Sequence, residues 1–428
     1  MSGAPRGGGG AHRQPGPDRA GQATSAVRKV VGSATVMYLG ALGMAGLAIL
    51  LSIALPPQER GLLVATTTSA SLGVAIGGFS LEAFLLAQGR GWLGELSGRR
   101  SLLIYLATVP ISAVLAWAFA LYSAEASPLV AAVGAVCIAA STVPAAAGLT
   151  LGEFLSVYRH RAVYAAAAPL LYLVLIALSV RTGEAWLLAW LACQVTMAVG
   201  LWAAHGAVLV RMGRRRSRHP ERLDRMAVTH VGAIAVAFNF RFDQLALARY
   251  QGADQIAVYS LAVAAIEFAQ SGAVVAAQRT LGDHEEGSED RMRGVLRRSL
   301  LLAVGLGALV LVGLAGIGVL SNGYEMAFLV GLVLLPRSIA VAADKVFSAR
   351  LVNLHRERTA TLLAIVTALA AVVGYSLAAP RWGLVGVAAI SSVLFVLHSI
   401  AAGAALRGGR PAPQRRPEPA APEPTHVA

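Results

Sequence analysis

Apolar runs of about 20 residues recur along this chain, separated by short polar loops, and that alternation fixes the solvent in which it folds. Each run is long enough to cross roughly 30 Å of hydrocarbon as an α-helix. Of the 428 residues, 56% are hydrophobic and 14% charged, where an average soluble domain carries about 25% charge. The bilayer is therefore the solvent. The runs predict spans near 30–55, 61–87, 101–123, 128–150, 163–180 and 185–210, then near 227–249, 255–278, 299–320, 324–348, 360–379 and 382–406. The expected fold class is an all-α membrane protein of about twelve transmembrane helices in two six-helix lobes.

A formal charge of +14 raises the question of nucleic acid, but the cations sit in short clusters between apolar runs, where loop charge sets topology. No soluble basic face is left for a nucleic acid, and none is expected as a partner. Of the 36 basic residues, only Arg60, Arg181, Arg249 and Arg381 fall in one set of alternate loops. Arg241, Arg337 and Lys345 fall inside spans, and all the others fall in the opposite loops and the tails. Positive charge favours the cytoplasm, so both termini are expected there. Lys29 and Lys345 are the only lysines, an arginine bias typical of GC-rich bacterial genomes. The expected location is a bacterial cytoplasmic (inner) membrane, crossed many times.

The longest basic loop divides the chain. Expected units are a disordered tail over 1–27, a six-helix lobe over 28–210, a basic linker over 211–226, a second lobe over 227–406 and a disordered tail over 407–428. The tails are rich in Gly, Pro and Arg and cannot bury a core. Corresponding polar turns enter an apolar helix in each half: Leu55-Pro-Pro-Gln-Glu-Arg-Gly-Leu-Leu-Val-Ala and Gln251-Gly-Ala-Asp-Gln-Ile-Ala-Val-Tyr-Ser. Two lobes around a central cavity follow, as in transporters built from parallel repeats.

Recognisable catalytic chemistry is missing. No phosphate loop of the form Gly-x-x-x-x-Gly-Lys-Ser/Thr and no His-Glu-x-x-His zinc motif occurs, and no cofactor or metal is expected. Cys137 and Cys193 lie inside apolar runs as small buried hydrophobes, and His205, His230 and His398 are scattered singly. Outer loops such as 124–128 and 321–324 are too short to fold over a sugar donor, which weighs against an enzyme. Gly73-Val-Ala-Ile-Gly77 has the small-xxx-small spacing of close helix packing.

Ionisable residues at membrane depth cost about 2.5–3.5 kcal/mol each and face a cavity or a partner. Asn239 and Asp243 share a face of the seventh span, with Arg241 directed away from them and Gln244 nearer Arg241. Glu267, Gln270 and Ser271 share a face of the eighth span. Arg337 follows Pro336 on the tenth, Asp344 lies two turns on, and Glu82 lies toward the inner end of the second. These charges either neutralise one another as interhelical pairs or line a water-filled cavity. In a cavity, arginines attract an anionic substrate and carboxylates carry a coupling ion or form a gate.

Two stretches carry a resemblance. One is Leu55-Pro-Pro-Gln-Glu-Arg-Gly-Leu-Leu-Val-Ala-Thr-Thr-Thr, running on to Ala87-Gln-Gly-Arg-Gly; the other runs from Phe240-Arg-Phe-Asp-Gln through Val258-Tyr-Ser-Leu-Ala to Glu267. Both resemble the polysaccharide (O-antigen type) flippases of the multidrug/oligosaccharidyl-lipid/polysaccharide exporter (MOP) superfamily. Arg241, Asp243, Tyr259, Ser260, Ala262 and Glu267 match that family's pattern, while Ala257 stands where the family usually has Gly. The resemblance implies a MATE-like fold and a transporter. It would flip a polyprenyl-pyrophosphate-linked oligosaccharide from the inner to the outer leaflet by alternating access. Arg241, Arg337, Asn239 and Gln244 would hold the substrate; Asp243, Glu267, Asp344 and Glu82 would couple an ion or form gates. Membrane lipids, and glycosyltransferases or a polymerase of the same pathway, are the further partners it implies. Competing expectations are a multidrug or cation antiporter, a lipid II flippase, a membrane-embedded glycosyltransferase or polymer ligase, and a non-transporting scaffold.

Overall fold

The computed structural model describes residues 49–80, 99–150, 154–214, 223–282, 289–354 and 356–407. Most of the expected first span, both tails, the middle of the basic linker and Glu82 lie outside them. In lipid every backbone amide must be satisfied within the chain, which leaves helices as the way to cross for runs of this length. The chain accordingly forms α1 (Pro57–Gly77), α2 (Arg99–Ser123), α3 (Pro128–Thr150), α4 (Phe154–Ala177), α5 (Gly183–Arg214), α6 (Leu223–Tyr250), α7 (Ala253–Gly282), α8 (Glu289–Leu320), α9 (Ala327–Asn353) and α10 (Glu357–Arg407). Residues 49–54, just before α1, are helical as well. Seven of these helices are long and apolar enough to cross a membrane. The architecture is an all-α, multi-pass membrane fold of about twelve helices.

The element bounds follow local chemistry. Pro57 opens α1 in the first turn, where a missing N–H costs nothing. Helix α1 ends at Gly77, followed by Phe79 and Ser80 at positive φ (51° and 47°); residues 81–87 of the expected second span lie outside the described residues. The last two expected spans are both present as the two parts of α10, which meet at Gly383 (φ 59°, ψ −150°), a non-helical conformation open to glycine, where the chain turns back and brings Thr367 beside His398. Pro380 lies three residues before that bend. At the basic loops the helices outrun the apolar windows, α8 starting at Glu289 instead of near 299, since a helix continues into the headgroup region where arginine heads stay wet.

Helix α1 bridges the two halves of the chain. It packs on α2, α3 and α5 of its own half and on α6 and α7 of the other. Ala65 and Leu72 of α1 join the main buried cluster, whose other members come from α6 to α10. Gly73 lets α1 lie on α2: a Cβ there would sit 2.6 Å from both the amide of Ala116 and the carbonyl of Ser112. At the other end of α1 the two corresponding polar turns meet. A Cβ at Gly61 would fall 1.8 Å from the carbonyl oxygen of Ala253.

Candidate functional site

The charges buried in the second half resolve into separate pairs. Arg337 is fixed on α9 and Asp243 on α6, and Nη1 donates to Asp243 Oδ2 at 3.0 Å. The side chains are 1% and 0% exposed. Asp243 is the hub: Oδ2 also accepts the Tyr259 hydroxyl of α7 at 2.7 Å, and Oδ1 accepts the Gln244 amide at 2.8 Å. Arg337 Nη1 donates further to Ser391 Oγ of α10 at 3.0 Å. Its guanidinium lies 4.9 Å from the Phe395 ring centre and 5.4 Å from that of Phe240. Four helices thus converge on one neutralised pair. In a low-dielectric interior such a pair persists only with its remaining donors and acceptors engaged, which Tyr259 and Ser391 partly achieve.

The second pair has a different environment. Arg241 of α6 faces Glu267 of α7, with Nη1 3.3 Å from Oε1 and Nη2 donating to Oε2 at 3.3 Å. These side chains are 39% and 28% exposed. Arg241 lies nine residues from the end of α6 at Tyr250, roughly 14 Å along the axis at 1.5 Å per residue. A charged pair left open at that depth is disfavoured against acyl chains.

The other expected site residues are dispersed. Gln244 reaches across the halves and accepts the Thr68 hydroxyl of α1 at 2.8 Å. Asn239 donates to the Ala364 carbonyl of α10 at 3.3 Å, and its Oδ1 finds no partner among the described residues. Asp344 is apart from Arg337 and Asp243; it meets His398 Nε2 at 3.2 Å and accepts the Ser348 hydroxyl at 2.9 Å. Of the two arrangements left open by the sequence, interhelical pairs are present in Arg337–Asp243 and Arg241–Glu267, and residues on one side of a helix do not always share partners. Arg241 and Gln244 serve different partners, and Asp344 shares none with Arg337.

Contacts not foreseen from sequence close the two ends of α1. Near its start, the buried Arg60 guanidinium donates to Ser52 Oγ and lies 5.6 Å over the ring of Tyr324, in the turn between α8 and α9. Ser321 of that turn donates to the Ser52 carbonyl at 3.0 Å. Beyond the other end, Ser80 Oγ lies 3.1 Å from His230 Nδ1 of α6, and the Phe79 ring lies tilted against the same ring, 5.2 Å between centres. Between the ends an aromatic seam joins α2 to α6: Phe119 meets Phe238 and Tyr122 meets Phe242, each at 6.1 Å. Arg60 looked like a loop cation because it stands beside two prolines; its burial depends on a turn more than 250 residues away.

No protein-family model matches the chain, and no match was found among curated proteins. Solved structures do match. The lipid II flippase MurJ in an inward closed conformation is 13% identical, with a TM-score of 0.60, covering 87% of this chain and 87% of its own. An inward-facing multidrug resistance MATE family transporter of the MOP superfamily gives 13% identity and a TM-score of 0.60 over 85% of this chain and 93% of its own. The MATE multidrug transporter DinF-BH gives 16% identity and a TM-score of 0.53 over 93% of this chain and 99% of its own. The chain shares the all-α, multi-spanning fold of these structures.

Proposed function

We propose that the chain is an alternating-access transporter in which α1 rocks against α6 and α7. A water-filled path then opens between the lobes 28–210 and 227–406 on one side of the membrane at a time. The observation that carries this reading is the Arg241–Glu267 pair, 39% and 28% exposed at membrane depth. An ion pair so placed needs an aqueous vestibule. Positive-inside counting puts both termini, and the Ser80–His230 contact, on the cytoplasmic side of a bacterial inner membrane.

For the substrate, charge balance is the guide. Asp243 neutralises Arg337 and Glu267 neutralises Arg241, so the arginines offer no surplus positive charge to a pyrophosphate. The aromatic seam of Phe119, Tyr122, Phe238 and Phe242 would become a wall of the path when the halves part. Flat aromatic faces suit an amphiphilic organic cation, with Glu267 as its counter-charge once that carboxylate leaves Arg241, which supports a multidrug or cation antiporter. Likeness to MATE multidrug transporters agrees with that choice.

A second reading is flipping of a lipid-linked pyrophosphate sugar, either the oligosaccharide carrier or lipid II. It has in its favour the sequence resemblance around Phe240–Glu267 and the structural likeness to a lipid II flippase. It requires Arg241 to leave Glu267 and turn its fork to phosphate oxygens. Reconstituted full-length protein decides between the two. Uptake of ethidium into vesicles, abolished by Glu267→Gln, supports the antiporter. Flipping of a polyprenyl-pyrophosphate glycan, lost in Arg241→Ala but retained in Glu267→Gln, supports the flippase. Movement of neither probe under any imposed ion gradient contradicts transport.

A further inference from the structure

His398, on the part of α10 beyond the Gly383 bend, is held from two sides. Nε2 is 3.2 Å from Asp344 Oδ1 on α9, and Nδ1 is 2.7 Å from Thr367 Oγ1 on the part of α10 before the bend. The His398 and Asp344 side chains are 10% and 15% exposed. An ionised carboxylate only accepts, so Nε2 carries a hydrogen.

Nδ1 has two options, set by one hydroxyl. Thr367 Oγ1 lies 2.7 Å from Nδ1 and also 2.9 Å from the Leu363 carbonyl, but it has a single hydrogen to donate. With that hydrogen on Nδ1, the imidazole is neutral. With it turned to Leu363 O, a lone pair of Oγ1 accepts from a protonated Nδ1, and the ring is an imidazolium. Both arrangements keep every polar atom of the group bonded, so neither carries the cost of a buried orphan.

We propose that Nδ1 of His398 is a reversible proton-binding site coupled to opening and closing of the path, with the Thr367 hydroxyl as its switch. This rests on the transporter reading above and gives that transporter a proton as its coupling ion. Loading adds one proton from water to Nδ1 while the Thr367 O–H rotates to Leu363 O; no other bond changes. Loaded, His398 and Asp344 sum to zero. Empty, they leave one negative charge at membrane depth, a cost relieved when the helices rearrange.

Among the described residues, the charged groups on the helices packed nearby have contacts of their own. On α9, Lys345 follows Asp344, and its Nζ lies 5.4 Å from the Phe240 ring centre of α6. Arg337 of α9 and Asp243 of α6 hold each other, as do Arg241 of α6 and Glu267 of α7. The stretch of α10 before the bend contributes the hydroxyl of Thr367. Because the site ties α9 to both parts of α10, its charge acts on the helices that also hold Arg337 and Ser391.

Full-length protein in lipid nanodiscs tests the proposal in two measurements. Nitrogen NMR of ¹⁵N-histidine, with His398 assigned by its absence in His398→Gln, should show a single protonation step as pH is varied. Nδ1 should gain a proton in that step while Nε2 stays protonated. Thr367→Ser should keep the step and Thr367→Val should displace it. Loss of the Nε2 proton instead, or no step at all, overturns the site. Spin labels at the exposed Leu129 and Met326, in a background lacking Cys137 and Cys193, should report a pH-dependent distance change over the same step. The change should vanish in His398→Gln and persist in Thr367→Ser. A change that persists in His398→Gln, or is absent from the wild type, overturns the coupling. A normal titration and distance change in protein that moves neither ethidium nor the glycan would contradict transport alone, leaving the proton site standing.

Discussion

Arg337 and Asp243, 94 residues apart in sequence, meet at 3.0 Å in a region where neither has contact with solvent. Truncating one partner strands the other charge. Arg337→Ala or Asp243→Ala should each cost about 3–5 kcal/mol, while replacing both with apolar residues of similar volume should cost far less than the sum. Thermal unfolding of purified protein across the double-mutant cycle checks this, and additive losses would mean the pair is not coupled.

The meeting of Gly61 with the Ala253 carbonyl leaves no room for a methyl group. Gly61→Ala should force α1 and α7 apart at that end. Overpacking costs about 1–3 kcal/mol, so the equilibrium should move about 5–150-fold toward the form open there. Spin-label distances between Leu129 and Met326 read it directly, and an unchanged distribution would place the hinge elsewhere.

Arg60 and Tyr324 form a weaker clasp at the same end. A desolvated cation–π contact is worth about 0.5–2 kcal/mol, so Tyr324→Leu should raise the open population by about 2- to 30-fold. Tyr324→Phe keeps the ring and should have little effect. Equal effects of the two substitutions would exclude the ring face as the source of the clasp.

The spans were legible because a run of about 20 apolar residues has one physical outcome in a bilayer. The two similar turns at Leu55–Ala65 and Gln251–Ser260 were legible as well, and Gly61 and Ala253 within them pack face to face. The partnerships among charges were only half legible. Helical periodicity sets which residues share a face of one helix, so Asp243 could be separated from Arg241. It says nothing of the axial register between helices, which decides that Arg337 meets Asp243 while Asp344 meets His398. His398 read as an isolated histidine because its partners Asp344 and Thr367 lie 54 and 31 residues away, outside any local pattern. The turn at Phe79 and Ser80, both at positive φ and both in contact with His230, had no local signal because His230 lies 150 residues further along the chain.

Glu267 should be the most sensitive carboxylate for transport, since it is ionisable and open to water where Asp243 is sealed. In vesicles reconstituted with full-length protein, Glu267→Gln should abolish ethidium uptake without lowering the unfolding temperature, whereas Asp243→Asn should lower both. A stable, fully active Glu267→Gln protein would remove this carboxylate from the transport path.

Solvent access at membrane depth is the point on which the account turns. Cysteine placed at Arg241 or Glu267, in a chain lacking Cys137 and Cys193, should react with a membrane-impermeant charged thiol reagent. The reactive side should switch when the Arg60–Tyr324 end is opened by Gly61→Ala. Cysteines at both positions that stay unreactive from either side, in both backgrounds, would contradict a water-filled path between the halves.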